Sequence, residues 1–276
     1  MSEHNSMLHP SPELRAKLSK VPEVSLYFWV IKVLCTTVGE TFADWINGRL
    51  GDNLTKTTLV MGAILVVALV VQFRVPEYVP AVYWVTVVLI SIVGTLITDN
   101  MVENFHVSLT TSTIVFGILM LLSFGAWQAS EKTLSIHSIH TPKREAFYWT
   151  AILFTFALGT AAGDLIGEQA SLGYFKSVLL YAAIIALIGV AFWKLRLNAI
   201  LAFWAAYVVT RPLGASIGDL LSQPRIPDLE ADPNAQKGLG LGTTVTSLIF
   251  LAAILVVVVI MTQQQRRHPV LSADAE

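Results

Sequence analysis

The sequence predicts an all-α, polytopic transmembrane helical bundle of eight spans, arranged as four parallel two-helix repeats. Three observations carry this. The 276-residue chain is 54% hydrophobic and 13% charged, with a mean hydropathy of +0.65, whereas a soluble domain carries roughly 25% charged residues. Its apolar residues come in long runs rather than at amphipathic spacing. A sixteen-residue segment, Trp29 to Asp44, recurs three more times along the chain.

The polar start, about residues 1–20, contains Pro10 and Pro12 and none of the short apolar core of a cleavable signal peptide. The first span is therefore expected to act as its own insertion signal. A single membrane domain then covers about 21–262, and 263–276 form a polar tail. The eight spans fall at about 24–46, 54–73, 79–101, 108–128, 146–167, 172–194, 198–221 and 239–262, each near the roughly 20 residues that cross a bilayer core. They pair into repeats at about 24–73, 79–128, 146–194 and 198–262. The odd-numbered spans are the weak ones by hydropathy, since each carries ionisable residues.

Lysine and arginine are unevenly placed. One side receives Arg15, Lys17, Lys20, Arg74, Lys132, Lys143, Arg144, Lys194, Arg196, Arg266 and Arg267. The other receives Arg49, Lys56, Lys176, Arg225 and Lys237. The positive-inside rule then predicts both termini in the cytoplasm. The loop from Gln223 to Lys237, with acids Asp228, Glu230 and Asp232, lies outside on this reading and is expected to be a solvated connection. His137 and His140 sit in a cytoplasmic loop and read as solvated rather than as a metal site. A net charge of -1 points away from nucleic acid. Cys35 is the lone cysteine, which excludes a disulfide framework and a cysteine metal cluster.

The repeat is the strongest signal in the chain. WVIKVLCTTVGETFAD, WVTVVLISIVGTLITD, WTAILFTFALGTAAGD and WAAYVVTRPLGASIGD start at Trp29, Trp84, Trp149 and Trp204 and align without a gap. An aromatic precedes each Trp: Phe28, Tyr83, Tyr148 and Phe203. The shared glycines are Gly39, Gly94, Gly159 and Gly214, and the shared acids Asp44, Asp99, Asp164 and Asp219. Spacings of 55, 65 and 55 residues between copies fit a doubled pair. With two spans per unit, all copies share one orientation, so they are parallel repeats about an axis along the membrane normal rather than inverted ones.

Each glycine is followed four residues later by Ala43, Thr98, Gly163 or Gly218. This small-xxx-small pattern predicts close helix packing. Beside it runs a polar edge at i, i+4: Thr36, Glu40 and Asp44 with Lys32 a turn before; Ser91, Thr95, Asp99 and Glu103; Thr160, Asp164 and Glu168; Arg211, Ala215, Asp219 and Gln223. The aromatic pairs read as an interfacial belt. The aspartates lie roughly 22 Å further along each helix, in the outer part of the membrane.

A carboxylate at a membrane helix centre costs roughly 2.5–3.5 kcal/mol, and less toward the interface. Four of them need compensation. They either bond neighbouring helices and hold the bundle together, or surround a cation path. Features present in one copy only, Glu40 and Arg211–Pro212, favour the path. Pro212 removes one intrahelical bond and frees a carbonyl near Val208. Arg211 needs a partner, expected to be an aspartate on a neighbouring helix.

The functional expectation is a transporter of a small hard cation, such as Mn²⁺ or Mg²⁺ or one coupled to protons. Asp44, Asp99, Asp164, Asp219 and Glu40 would serve as cation ligands, and Ser91, Thr95, Thr160 and Arg211 would line or gate the path. Oxygen-rich sets suit such ions. Partners are then the bilayer and the cation, with no cofactor and no enzymatic activity. The alternative is a membrane sensor or scaffold that transports nothing. Gly163–Asp164 and Gly218–Asp219 also match the Gly–Asp element of intramembrane aspartyl proteases, but the Tyr–Asp pair those proteases use is missing.

Four copies of Trp-x9-Gly-x4-Asp, the first ending Val38-Gly39-Glu40-Thr41-Phe42-Ala43-Asp44, resemble a bacterial family of uncharacterised membrane proteins built from a repeat of unknown function. The likeness runs from about Val21 to Thr262. It implies a multi-pass protein of the bacterial inner membrane and brings no established activity.

Overall fold

Helix starts are written locally. Ser25, Asn53, Ser108, Thr141 and Asn198 each accept a backbone N–H of the first helical turn, Pro142 follows Thr141 as the first residue of its helix, and Pro80 opens one further helix. Such side-chain caps satisfy donors that have no partner within the helix. The computed structural model describes residues 19–227 and 236–267. Most of the polar N-terminal segment, the acids Asp228, Glu230 and Asp232, and the tail beyond 267 lie outside the described residues.

Eight α-helices result among the described residues: α1 Leu26–Arg49, α2 Leu54–Arg74, α3 Pro80–Asp99, α4 Leu109–Glu131, α5 Pro142–Asp164, α6 Tyr174–Lys194, α7 Ala199–Ser222 and α8 Gly242–Arg267. All eight are long and apolar enough to cross a membrane, and they match the eight predicted spans. Wide π turns, Asn100–Asn104 and Leu165–Gln169, continue α3 and α5 directly from Asp99 and Asp164.

The odd helices form the core and the even ones a shell. More than half of each apolar window is buried in α1, α3, α5 and α7, against less than a quarter in α2, α4, α6 and α8. Shell residues such as Leu59, Val67, Leu121, Leu187 and Leu248 point outward, as hydrocarbon contact requires. The core is one closed ring: α1 packs on α3, α3 on α5, α5 on α7, and α7 back on α1. This settles the arrangement that repeat spacing leaves open between one axis and two separate pairs.

Each shell helix packs on the core helix that follows it rather than the one before it. Thus α2 lies on α3, α4 on α5 and α6 on α7. The last of the described helices, α8, lies on α1, where Ser247 Oγ donates to Thr41 Oγ1 at 2.9 Å. The final repeat thereby supplies the outer layer for the first, and the ring closes without a covalent link.

Candidate functional site

The motif glycines set the ring's geometry. A Cβ built on Gly39 would fall on the Ser91 side chain, one on Gly94 at 2.9 Å from Phe156 Cβ, one on Gly159 on Arg211, and one on Gly214 on Thr36. In every case the partner lies three residues before the glycine of the next core helix. The same contact is therefore made four times around the ring. Gly163 faces Pro212 and Gly218 faces Thr41 and Thr37, so the second small position packs against the same neighbour as the first. This is the close helix approach expected of small-xxx-small edges.

With the glycine edges against their neighbours, the i, i+4 stripes turn to the axis. On α1 the stripe is Phe28, Lys32, Thr36, Glu40 and Asp44; on α3 it is Tyr83, Val87, Ser91, Thr95 and Asp99. On α5 it is Tyr148, Ile152, Phe156, Thr160 and Asp164; on α7 it is Phe203, Tyr207, Arg211, Ala215 and Asp219. All are buried except Phe203, Asp44, Asp99 and Asp164, which are half-buried. An i, i+4 row precesses about 40° per step on a 3.6-residue helix, so the core helices must tilt to keep it on the axis.

The four stripes stack as layers. At the start of the core helices the aromatic before each tryptophan meets the tryptophan of the next helix: Phe28 with Trp84, Tyr83 with Trp149, Tyr148 with Trp204, and Phe203 with Trp29, at 5.5–6.2 Å between centroids. The Tyr83 and Tyr148 hydroxyls bond each other. Three indole N–H groups find acceptors, Trp84 on Tyr78 Oη, Trp149 on Glu145 Oε1 and Trp204 on the Leu134 carbonyl. The expected interfacial belt is thus a buried ring, because these aromatics belong to the axial stripe and not to the outer surface.

One layer further in, Lys32 is fully buried with its Nζ 4.0 Å from the centre of the Phe156 ring and 4.1 Å from that of Tyr207. Those two rings lie parallel, 6.2 Å apart. The Lys32 Nζ has no hydrogen-bond partner.

At the next level all four core helices meet at one side chain. Arg211 is fully buried. Its Nη2 donates to Glu40 Oε2 at 2.7 Å, to Thr160 Oγ1 at 2.7 Å and to Thr95 Oγ1, and its Nη1 donates to the Thr36 carbonyl at 3.2 Å. Glu40, Thr95 and Thr160 occupy the same repeat position, directly after the glycine. In the fourth copy that position is Ala215, whose small side chain leaves room beside the guanidinium. Arg211 therefore pairs with Glu40 and not with the expected aspartate. It sits three residues before Gly214, and from there its guanidinium reaches the layer after the glycine, one turn short of the acids.

The aspartates follow one turn on. Asp99 lies within electrostatic range of Glu40, Asp164, Asp44 and Glu103. Asp219, on the helix diagonally opposite, is buried. Among the described residues no three of His, Cys, Asp and Glu form a group that could hold a metal ion. The carboxylates thus share one end of the axis without forming a metal cage.

Thr95, Thr160, Glu40 and Arg211 are brought together as their shared stripe implies. Ser91 is not: it seats against Gly39, and its buried hydroxyl makes no hydrogen bond. The Lys32 cage and the Thr36 carbonyl escaped sequence reading. Lys32 stood on the stripe, but Phe156 and Tyr207 are apolar enough to pass as ordinary core. A cavity of about 540 Å³ forms an apolar groove beside α6 and α7 lined by Trp29, Ile188, Phe192 and Phe203. It lies outside the polar axis.

Four stretches of the chain, 27–78, 82–133, 147–197 and 202–267, match the family described as Repeat of Unknown Function (DUF347). No curated protein and no solved structure gave a match. The four matches cover most of the chain, and it belongs to this family.

Proposed function

We propose that this member of the DUF347 repeat family is a membrane transporter that carries a small cation along the axis of its four-helix ring. The observation that supports it most is the convergence of all four repeats on Arg211, just inside a layer of four aspartates. A carboxylate layer at one end of a low-dielectric axis concentrates cations there. The Arg211–Glu40 pair closes the axis behind it, and the aromatic ring closes the far end. With both termini cytoplasmic, the acids face outward and the aromatic ring inward.

Arg211 is also suited to moving. Pro212 cannot bond the Val208 carbonyl, so α7 carries its weakest turn at the residue that holds the gate. Release of Glu40 would exchange an internal cation for a passing one at little net change in charge. Mn²⁺, Mg²⁺ and protons suit the oxygen ligands at the mouth. The lack of a three-acid group among the described residues favours an ion that passes over one held in residence. No cofactor and no catalytic chemistry enter this reading.

A scaffold reading has one observation in its favour: Arg211, on α7, is bonded to each of the three other core helices, as a structural rivet would be. Flux separates the two. The test is cation uptake into proteoliposomes, with Mn²⁺, Mg²⁺, Ca²⁺, Na⁺, K⁺ and guanidinium offered separately under an imposed pH gradient. Transport predicts cation-dependent flux that Asp164→Asn and Asp219→Asn abolish while remaining folded. A scaffold predicts no flux for any ion.

A further inference from the structure

Two internal basic side chains occupy successive stations on the axis, and each is held by a different chemistry. The station nearer the acids is a cradle of one carboxylate, two hydroxyls and one carbonyl around the Arg211 guanidinium. The next is a pair of parallel rings with the Lys32 Nζ about 4 Å from each ring centre. Both side chains are fully buried. The lysine has no hydrogen-bond partner, so the rings are its main support.

These stations discriminate among cations. Mg²⁺ and similar divalent ions give up their water reluctantly and take six or more oxygen ligands. A ring face offers none. Guanidinium is planar, delocalised and weakly hydrated, and alkylammonium ions are also held by aromatic faces. A hydrated metal could collect at the aspartates yet would find no second station past Glu40. A guanidinium or small alkylammonium ion would find two, each of a shape already filled by a side chain of the same kind.

We infer that the axis is a path for weakly hydrated organic monocations of the guanidinium or alkylammonium type, with Arg211 and Lys32 acting as tethered stand-ins that the passing ion displaces in turn. This rests on the transport reading and puts organic monocations in place of the metal ions as the species that passes the whole axis. Displacement at the first station moves Arg211 off Glu40 as α7 flexes at Pro212. Displacement at the second moves the unbonded Lys32 amine out from between Phe156 and Tyr207.

The test is exchange of radiolabelled guanidinium across proteoliposomes holding the wild-type chain, preloaded with unlabelled guanidinium. Saturable exchange is expected, inhibited by methylammonium and indifferent to Mn²⁺ or Mg²⁺. Phe156→Leu, which keeps an apolar side chain but removes one ring, is expected to weaken it about tenfold. Should that variant not fold, the competition pattern of the wild type decides alone. Metal-ion flux without guanidinium exchange would overturn this inference and leave the transport reading standing. Absence of flux for every ion would overturn both.

Discussion

Gly214 in the last core helix lies against Thr36 in the first, so closely that a Cβ on Gly214 would fall on the Thr36 side chain. This repeats, across the only joint the chain does not make covalently, the contact that Gly39 makes with Ser91. The four repeats therefore behave as a ring and not as a row, and the axis they enclose follows from that closure.

The glycine contacts should be costly to fill. Gly39→Ala and Gly214→Ala are each expected to destabilise the protein by about 1–3 kcal/mol, the range for overpacking a close contact. Gly125→Ala, in the shell with no atom within 4 Å of its Cβ, should stay within about 0.5 kcal/mol. Unfolding in mixed micelles followed by tryptophan fluorescence measures all three.

Arg211 and Glu40 should be far worse to break than to remove. Arg211→Met leaves Glu40 buried without its cation, at about 3–5 kcal/mol. The double variant Glu40→Gln/Arg211→Met should regain most of that loss, since no buried charge is left unpaired. Two single losses that simply add would show that Glu40 is not the partner on which Arg211 depends.

Ring closure predicts a crosslink. Ser247 and Thr41 lie 2.9 Å apart at their hydroxyls, on the last and first repeats. Thr41→Cys/Ser247→Cys should oxidise to an intramolecular disulfide that resists reduction until the protein unfolds, and it should raise thermal stability. Mobility on non-reducing gels reads the bond. A free thiol pair after oxidation would place α8 elsewhere.

The start of α5 carries a second buried ion pair. Glu145 accepts from Lys20 Nζ at 2.7 Å, from Gln72 Nε2 at 3.0 Å and from Trp149 Nε1 at 3.4 Å. Lys20 also donates to the Phe73 carbonyl. Glu145→Ala should lower the melting temperature more than Lys20→Ala. The first leaves the ammonium and two other donors short of an acceptor, whereas the second leaves Glu145 with two of its three donors.

The fold was open to sequence reading because bilayer length, repeat register and small-xxx-small spacing are local and periodic. Eight spans and the glycine contacts follow from them. The polar stripe through Glu40, Thr95 and Thr160 was legible for the same reason, and it does meet on the axis. The aromatic ring was misplaced because Phe28–Trp29 and its equivalents have the composition of a membrane interface, and composition does not say which way a helix is rotated. The partner of Arg211 was missed because a long side chain reaches over more than a turn, so its register marks the layer it leaves rather than the layer it bonds. The Lys32 cage needs Phe156 and Tyr207 from two other repeats, and no spacing within one helix reveals that.

Reactivity along the axis tests most directly whether the aspartate layer is an open mouth closed at Arg211. In a Cys35→Ser background, single cysteines at Asp99 and at Val87 lie on the same α3 stripe on either side of the Arg211 level. The account predicts that the cysteine at position 99 reacts from outside, several-fold faster with a cationic thiol reagent than with an anionic one of equal size. It predicts no reaction at position 87 from either side. Protection of position 99 from both reagents, or equal rates for the two charges, would contradict it and leave the aspartates as structural ties between helices.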